Sequence, residues 1–81
     1  MNYRDLGARI RSVRRQMGLT QEQLAEQVGI SASFLGHIER GTRVASLETF
    51  VSLCNALKAW PDELLKESLA IPGDGTETQQ P

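Results

Sequence analysis

Few side chains in this sequence could do covalent chemistry. There is one histidine, His37, and one cysteine, Cys54. No nucleophile or partner carboxylate stands at a useful spacing from His37. No group of residues has metal-ligand spacing, and no glycine-rich loop is built to cradle a phosphate. Neither an enzyme nor a cofactor is therefore expected. The residues of interest are hydrogen-bonding ones gathered between positions 21 and 43: Gln21, Ser31, Ser33, His37, Arg40, Thr42 and Arg43. Amides, hydroxyls and guanidinium groups of this kind recognise a surface without transforming it.

The elements that position these residues follow from local signals. Leu6, Ile10, Val13 and Met17 recur at helical spacing and predict an amphipathic helix over Tyr3–Met17, with Gly18 as its stop. Arg14 flanks the buried stripe of that helix. Thr20 is a good N-cap, and Gln23 three residues later completes a capping-box pattern. The helix it opens should run through Val28, with Leu24 and Val28 inward and small Ala25 allowing close approach, and should end at Gly29. Ser31 then caps a third helix that runs to about Arg40, with Leu35 and Ile38 inward, and Gly41 ends it. Ser46 caps a fourth, Leu47–Leu57, for which Leu47, Phe50, Val51, Cys54 and Leu57 are the expected core face. Pro61 suits the first position of a fifth, with Asp62 and Glu63 at its positive end, continuing to about Ala70. The last stretch, PGDGTETQQP, lacks apolar residues and predicts a disordered tail over 71–81. The expectation is one all-α domain over 1–70.

Eighty-one residues make a single small domain, and an apolar content of 40% is enough for a packed core. Only Tyr3, Phe34, Phe50 and Trp60 are aromatic, so aliphatic residues must supply most of it. No apolar run is long enough to span a membrane. The N-terminus has no signal-peptide pattern. An unpaired cysteine among apolar neighbours fits a reducing, cytoplasmic compartment. The net charge of −1 hides an asymmetry. Residues 1–43 carry seven arginines against four carboxylates, whereas residues 44–81 carry two lysines against six. A polyanion would meet the N-terminal half.

Two short helices joined by a tight glycine-containing turn form a helix-turn-helix skeleton, with Ala25 where the helices cross and Gly29 where the chain turns. The stretch Gly18–Gly41, GLTQEQLAEQVGISASFLGHIERG, resembles the DNA-binding domains of phage Cro/cI-type repressors, the XRE-like helix-turn-helix family. The resemblance is carried by Leu19, Thr20, Gln21, Leu24, Ala25 and Gly29, then Ser31, then Ile38-Glu39-Arg40-Gly41. The five-helix layout matches over nearly all the chain except the tail, and implies a compact lambda-repressor-like fold.

That resemblance implies roles. Gln21 is similar to the family glutamine that bonds a DNA phosphate. Ala32, Ser33, Gly36 and His37 take the base-reading face. Ser31, Phe34, Arg40, Thr42 and Arg43 would contact or flank the sugar-phosphate backbone, although Phe34 could equally be core. An Arg14–Glu39 ion pair is expected to orient the second motif helix and to leave an Arg14 nitrogen for phosphate. The reading face departs from the pattern in being small. Ala32 offers only a methyl contact and Ser33 bonds permissively. Gly36 admits close backbone approach to DNA and weakens its helix by about 1 kcal/mol relative to alanine. Specificity is therefore expected to rest partly on His37, on Arg40 or Arg43, and on DNA shape. Lys58 stands where relatives often have glycine, and Trp60 where a serine cap is common. Trp60 either folds onto its own core or stands exposed as a dimer anchor. The implied partner is double-stranded DNA, bound as a homodimer on a pseudo-palindrome with half-sites roughly 34–36 Å apart. Dimer contacts would come from the last two helices and the loop between them. The alternative is a protein-interaction module, such as a DNA-binding antitoxin whose acidic C-terminal half holds a partner protein.

Overall fold

In the computed structural model, residues 1–66 are described. They form five helices: α1 (Tyr3–Gln16), α2 (Gln21–Val28), α3 (Ala32–Arg40), α4 (Leu47–Leu57) and α5 (Pro61–Leu65). The extension of the fifth helix to Ala70 and the tail over 71–81 lie outside the described residues.

Each start is fixed by its cap. Asn2, Thr20, Ser31 and Ser46 each accept a hydrogen bond from the backbone N–H three residues on. At α2 the box is complete, because Gln23 Oε1 also accepts from Thr20 N at 2.9 Å. Trp60 has no acceptor to offer α5, and there only the reciprocal half exists: Trp60 N donates to Glu63 Oε1 at 2.8 Å.

The ends are equally local. Gly29 takes φ 85° and Gly41 φ 76°, the left-handed conformation that lets the chain leave a helix while its amides satisfy the last carbonyls. At α4 the same work is done by Lys58, at φ 54°. A side chain there crowds the following carbonyl at a cost of about 1 kcal/mol. Lys58→Gly is accordingly expected to raise stability by about 0.5–1 kcal/mol, part of the gain being lost to the freer unfolded chain. Urea unfolding would show it as a higher midpoint at unchanged slope.

Ile10, Leu24, Ala25, Leu35, Ile38, Leu53, Cys54, Leu57 and Leu64 form the core. α3 lies between α1 and α2, α4 packs on α2, and α5 closes against α1. The α4 face differs from the expected one. Leu47 is 78% exposed and Val51 46%, whereas Leu53 is fully buried. The helix rolls its Leu53–Cys54–Leu57 stripe inward, with Phe50 half-buried beside it. Its first turn overhangs the core, so Leu47 meets no covering element. Trp60 is 74% exposed, which settles the choice left by the sequence against a core role.

Candidate nucleic-acid interface

The recognition-helix candidate, α3, is held from three sides. Its inward residues Leu35 and Ile38 sit in the core. Its C-terminal turn is pressed against α1 with no room for side chains at the crossing. A Cβ on Gly7 would fall 2.2 Å from the Ile38 carbonyl oxygen and 2.5 Å from that of Glu39. A Cβ on Gly41 would meet Arg4 Cα at 2.6 Å. Sequence reasoning assigned Gly7 no role. Its signal was a glycine inside an otherwise regular helical stripe, which calls for a packing reason.

The third constraint is electrostatic. Arg14 Nε donates to Glu39 Oε2 at 2.7 Å and Nη2 to Oε1 at 3.1 Å, a two-pronged ion pair. Arg14 Nη1 donates to the Leu19 carbonyl at 2.8 Å. Arg14 is 7% exposed and Glu39 5%. The expected pair is present, and any phosphate contact by Arg14 would have to use the N–H donors that it leaves over. Three of its five guanidinium N–H donors are engaged inside the protein, and two are left over.

Gln21 enters the same network. Its Nε2 donates to Glu39 Oε1 at 3.0 Å. The family-implied phosphate contact had this amide facing outward. Here one of its two amide hydrogens is spent on Glu39, leaving the other and Oε1 for a ligand. The tether fixes the start of α2 to the end of α3 across the turn.

On the outer face of α3 the sequence-designated residues fall together. Ser33 and Arg40 are exposed, and Ala32, Phe34 and His37 are half-buried. Phe34 packs against the core, and Ser31 Oγ is occupied capping the Phe34 amide at 3.0 Å. His37 is held by Thr42. Thr42 Oγ1 lies in hydrogen-bond contact with His37 Nδ1 at 2.9 Å and with the His37 carbonyl oxygen at 3.2 Å. That leaves Nε2 as the free ring nitrogen. Gly36 is covered rather than open to an approaching backbone, because the Arg40 guanidinium lies over it. Arg43 is exposed in the loop after α3, where it borders an apolar groove of about 270 Å³.

Nothing in this arrangement suggests covalent chemistry. Cys54 is buried in the core, and desolvation pushes its thiol above the ordinary range, which makes it a poor nucleophile. Among the described residues no group of three or more His, Cys, Asp or Glu could hold a metal. No helix among them is long and apolar enough to cross a membrane.

Comparison with known proteins agrees with the geometry. A family model described as a helix-turn-helix domain matches residues 5–67. The chain is 45% identical over 58 residues to the uncharacterized HTH-type transcriptional regulator YazB of Bacillus subtilis (strain 168), covering 72% of this chain and 84% of that one. It superposes on the crystal structure of the restriction-modification controller protein C.AhdI from Aeromonas hydrophila with TM-score 0.73 at 40% identity, over 76% of this chain and 94% of the other. It also superposes on the solution structure of the DNA-binding domain of the P22 C2 repressor with TM-score 0.74 at 34% identity, over 86% and 92%.

Proposed function

The chain belongs to the helix-turn-helix family of DNA-binding transcriptional regulators, and from that premise we propose that it represses transcription as a homodimer, each copy placing α3 in the major groove of one half of a pseudo-palindromic operator. The observation that carries the reading is the Arg14–Glu39–Gln21 network, which fixes α3 against both α1 and α2 and presents its outer face as a rigid unit. Helix orientation is what decides whether side chains reach base edges, so rigidity here serves recognition. Ser33 and the free Nε2 of His37 would meet bases. The uncommitted Gln21 amide hydrogen and the exposed Thr42 and Arg43 would meet phosphates, which position without selecting sequence.

Dimerisation is supported by an apolar edge. Val44, Leu47 and Val51 are all exposed at the loop before α4 and its first two turns, and Met1 and Tyr3 extend the patch. We favour this edge over the α4–α5 side, where exposed Trp60 borders a separate hollow with Asn55 and Lys58, because it gathers several exposed apolar side chains. Leu47→Glu is expected to give a monomer by sedimentation and to lower affinity for a two-half-site duplex by roughly a hundredfold, through lost avidity. Its helical content by circular dichroism should stay unchanged, since Leu47 contributes little to the core, while the concentration-dependent part of the unfolding midpoint, which dimerisation supplies, should be lost.

The function itself is tested by titrating the protein against the DNA upstream of its own reading frame and against a scrambled duplex, at several salt concentrations. Preference for the first with a steep salt slope is the expected result. Equal, negligible binding to both would defeat the regulator reading.

A further inference from the structure

The outer face of α3 poses a problem for sequence recognition. Its residues Ala32, Ser33 and Gly36 carry no long polar side chain, and His37 is tied back to Thr42. Gly36 is itself unexplained by the fold. It does not take a positive φ, unlike Gly18, Gly29 and Gly41. The atoms nearest to an added Cβ would be side-chain atoms, unlike those nearest to one on Gly7. The nearest are Arg40 Nη1 at 3.1 Å, Gln21 Nε2 at 3.7 Å and Arg40 Cζ at 3.8 Å. A glycine in a helix interior weakens it relative to alanine. At position 36 that weakening is matched by one visible gain, the room taken by the Arg40 guanidinium.

Arg40 has no competing engagement. Among the described residues it makes no ion pair. The adjacent carboxylate, Glu39, is already taken by Arg14 and Gln21. The side chain therefore folds back by one helical turn, from the end of α3 onto the middle of its outer face, and carries its donors to where a longer residue at 36 would otherwise stand.

We infer that Arg40 is the specificity-determining residue of this protein, delivered through the notch at Gly36 to pair with the O6 and N7 acceptors of a guanine in the major groove. The inference rests on the DNA-binding reading given above. A planar guanidinium with paired donors matches those two acceptors, which no other base edge presents together. The sequence places Arg40 at the rim of the groove, as a phosphate contact with a share in specificity beside His37 and Arg43. A phosphate contact would weaken all sequences alike, whereas a guanine contact fails at one position of each half-site.

The test is selection from a pool of duplexes with a randomised core, using the wild-type chain, Arg40→Ala and Gly36→Ala. The expected result is that both variants lose preference at a single guanine per half-site and keep it elsewhere. Affinity for the wild-type consensus should fall between about fivefold and a hundredfold, with little change on random duplex. In the wild type, 7-deazaguanine at that position, which removes N7 and keeps O6, should reproduce part of the loss, and should add nothing to Arg40→Ala. Circular dichroism on Gly36→Ala guards against misfolding, since the atoms nearest its Cβ are side-chain ends. If Arg40→Ala selects the wild-type consensus, or weakens consensus and random duplex equally, the assignment of Arg40 is wrong while DNA binding stands. If the wild-type chain enriches no sequence, both readings fall together.

Discussion

Glu39→Ala is expected to cost about 3–5 kcal/mol of folding stability, the range seen when one partner of a buried ion pair is removed. The size follows from what is left behind. Arg14, 7% exposed, loses both of its carboxylate bonds and keeps only the Leu19 carbonyl as acceptor. Gln21 loses its acceptor as well. A domain of this length holds roughly 4–12 kcal/mol in total, so the variant should be near its unfolding transition in dilute buffer. Equilibrium urea unfolding measures the loss directly. A loss under about 1 kcal/mol would mean that the pair behaves as a solvated surface bridge, and the rigid-frame argument for α3 would fail. The double replacement Arg14→Met with Glu39→Leu separates stability from orientation. Removing both charges should recover most of the lost stability, short of the part due to the unpaired Leu19 carbonyl. DNA affinity should not recover with it, because Gln21 no longer has an anchor on α3.

How far the sequence reached depends on the range of the physics involved. Caps and stops act over three or four residues, so Thr20, Ser31 and Ser46 marked helix starts, and Gly29 and Gly41 marked ends, where the structure has them. The Arg14–Glu39 pair joins residues 25 apart, and it was legible because both flank buried stripes and the family resemblance linked them. The roll of α4 was not. Leu47, Val51 and Leu53 are all apolar, and choosing among them requires knowing where α2 ends beneath the helix. Gln21 and Arg40 were both singled out, but the endpoints of their side chains escaped for a different reason. Both carry long polar side chains whose endpoints depend on what is vacant or charged across a turn, and neither the Glu39 carboxylate nor the notch at Gly36 can be placed from spacing alone.

Gly7→Ala is expected to be destabilising by about 3 kcal/mol, although helix propensity alone predicts the opposite sign. Alanine at an interior helical position should gain about 1 kcal/mol over glycine. At position 7 that gain is outweighed, because the new methyl carbon would lie 2.2 Å from the Ile38 carbonyl oxygen, 2.5 Å from the Glu39 carbonyl oxygen and 2.7 Å from the Glu39 carbonyl carbon. These are backbone atoms of α3 and cannot rotate away as a side-chain end would, so α1 and α3 must separate by about 1 Å. Overpacking typically costs 1–3 kcal/mol, and a clash with two carbonyls on a helix fixed at its far side belongs at the upper end. The separation would also lengthen the Arg14–Glu39 contacts, since the two residues sit on the same pair of helices. Urea unfolding should therefore show a lower midpoint for Gly7→Ala. The same substitution at Gly36, where the nearest atoms are side-chain ends, should leave the midpoint equal or higher. Equal midpoints for wild type and Gly7→Ala would show that α1 can shift at no cost, and the claim that its close approach sets the position of the recognition helix would have to be abandoned.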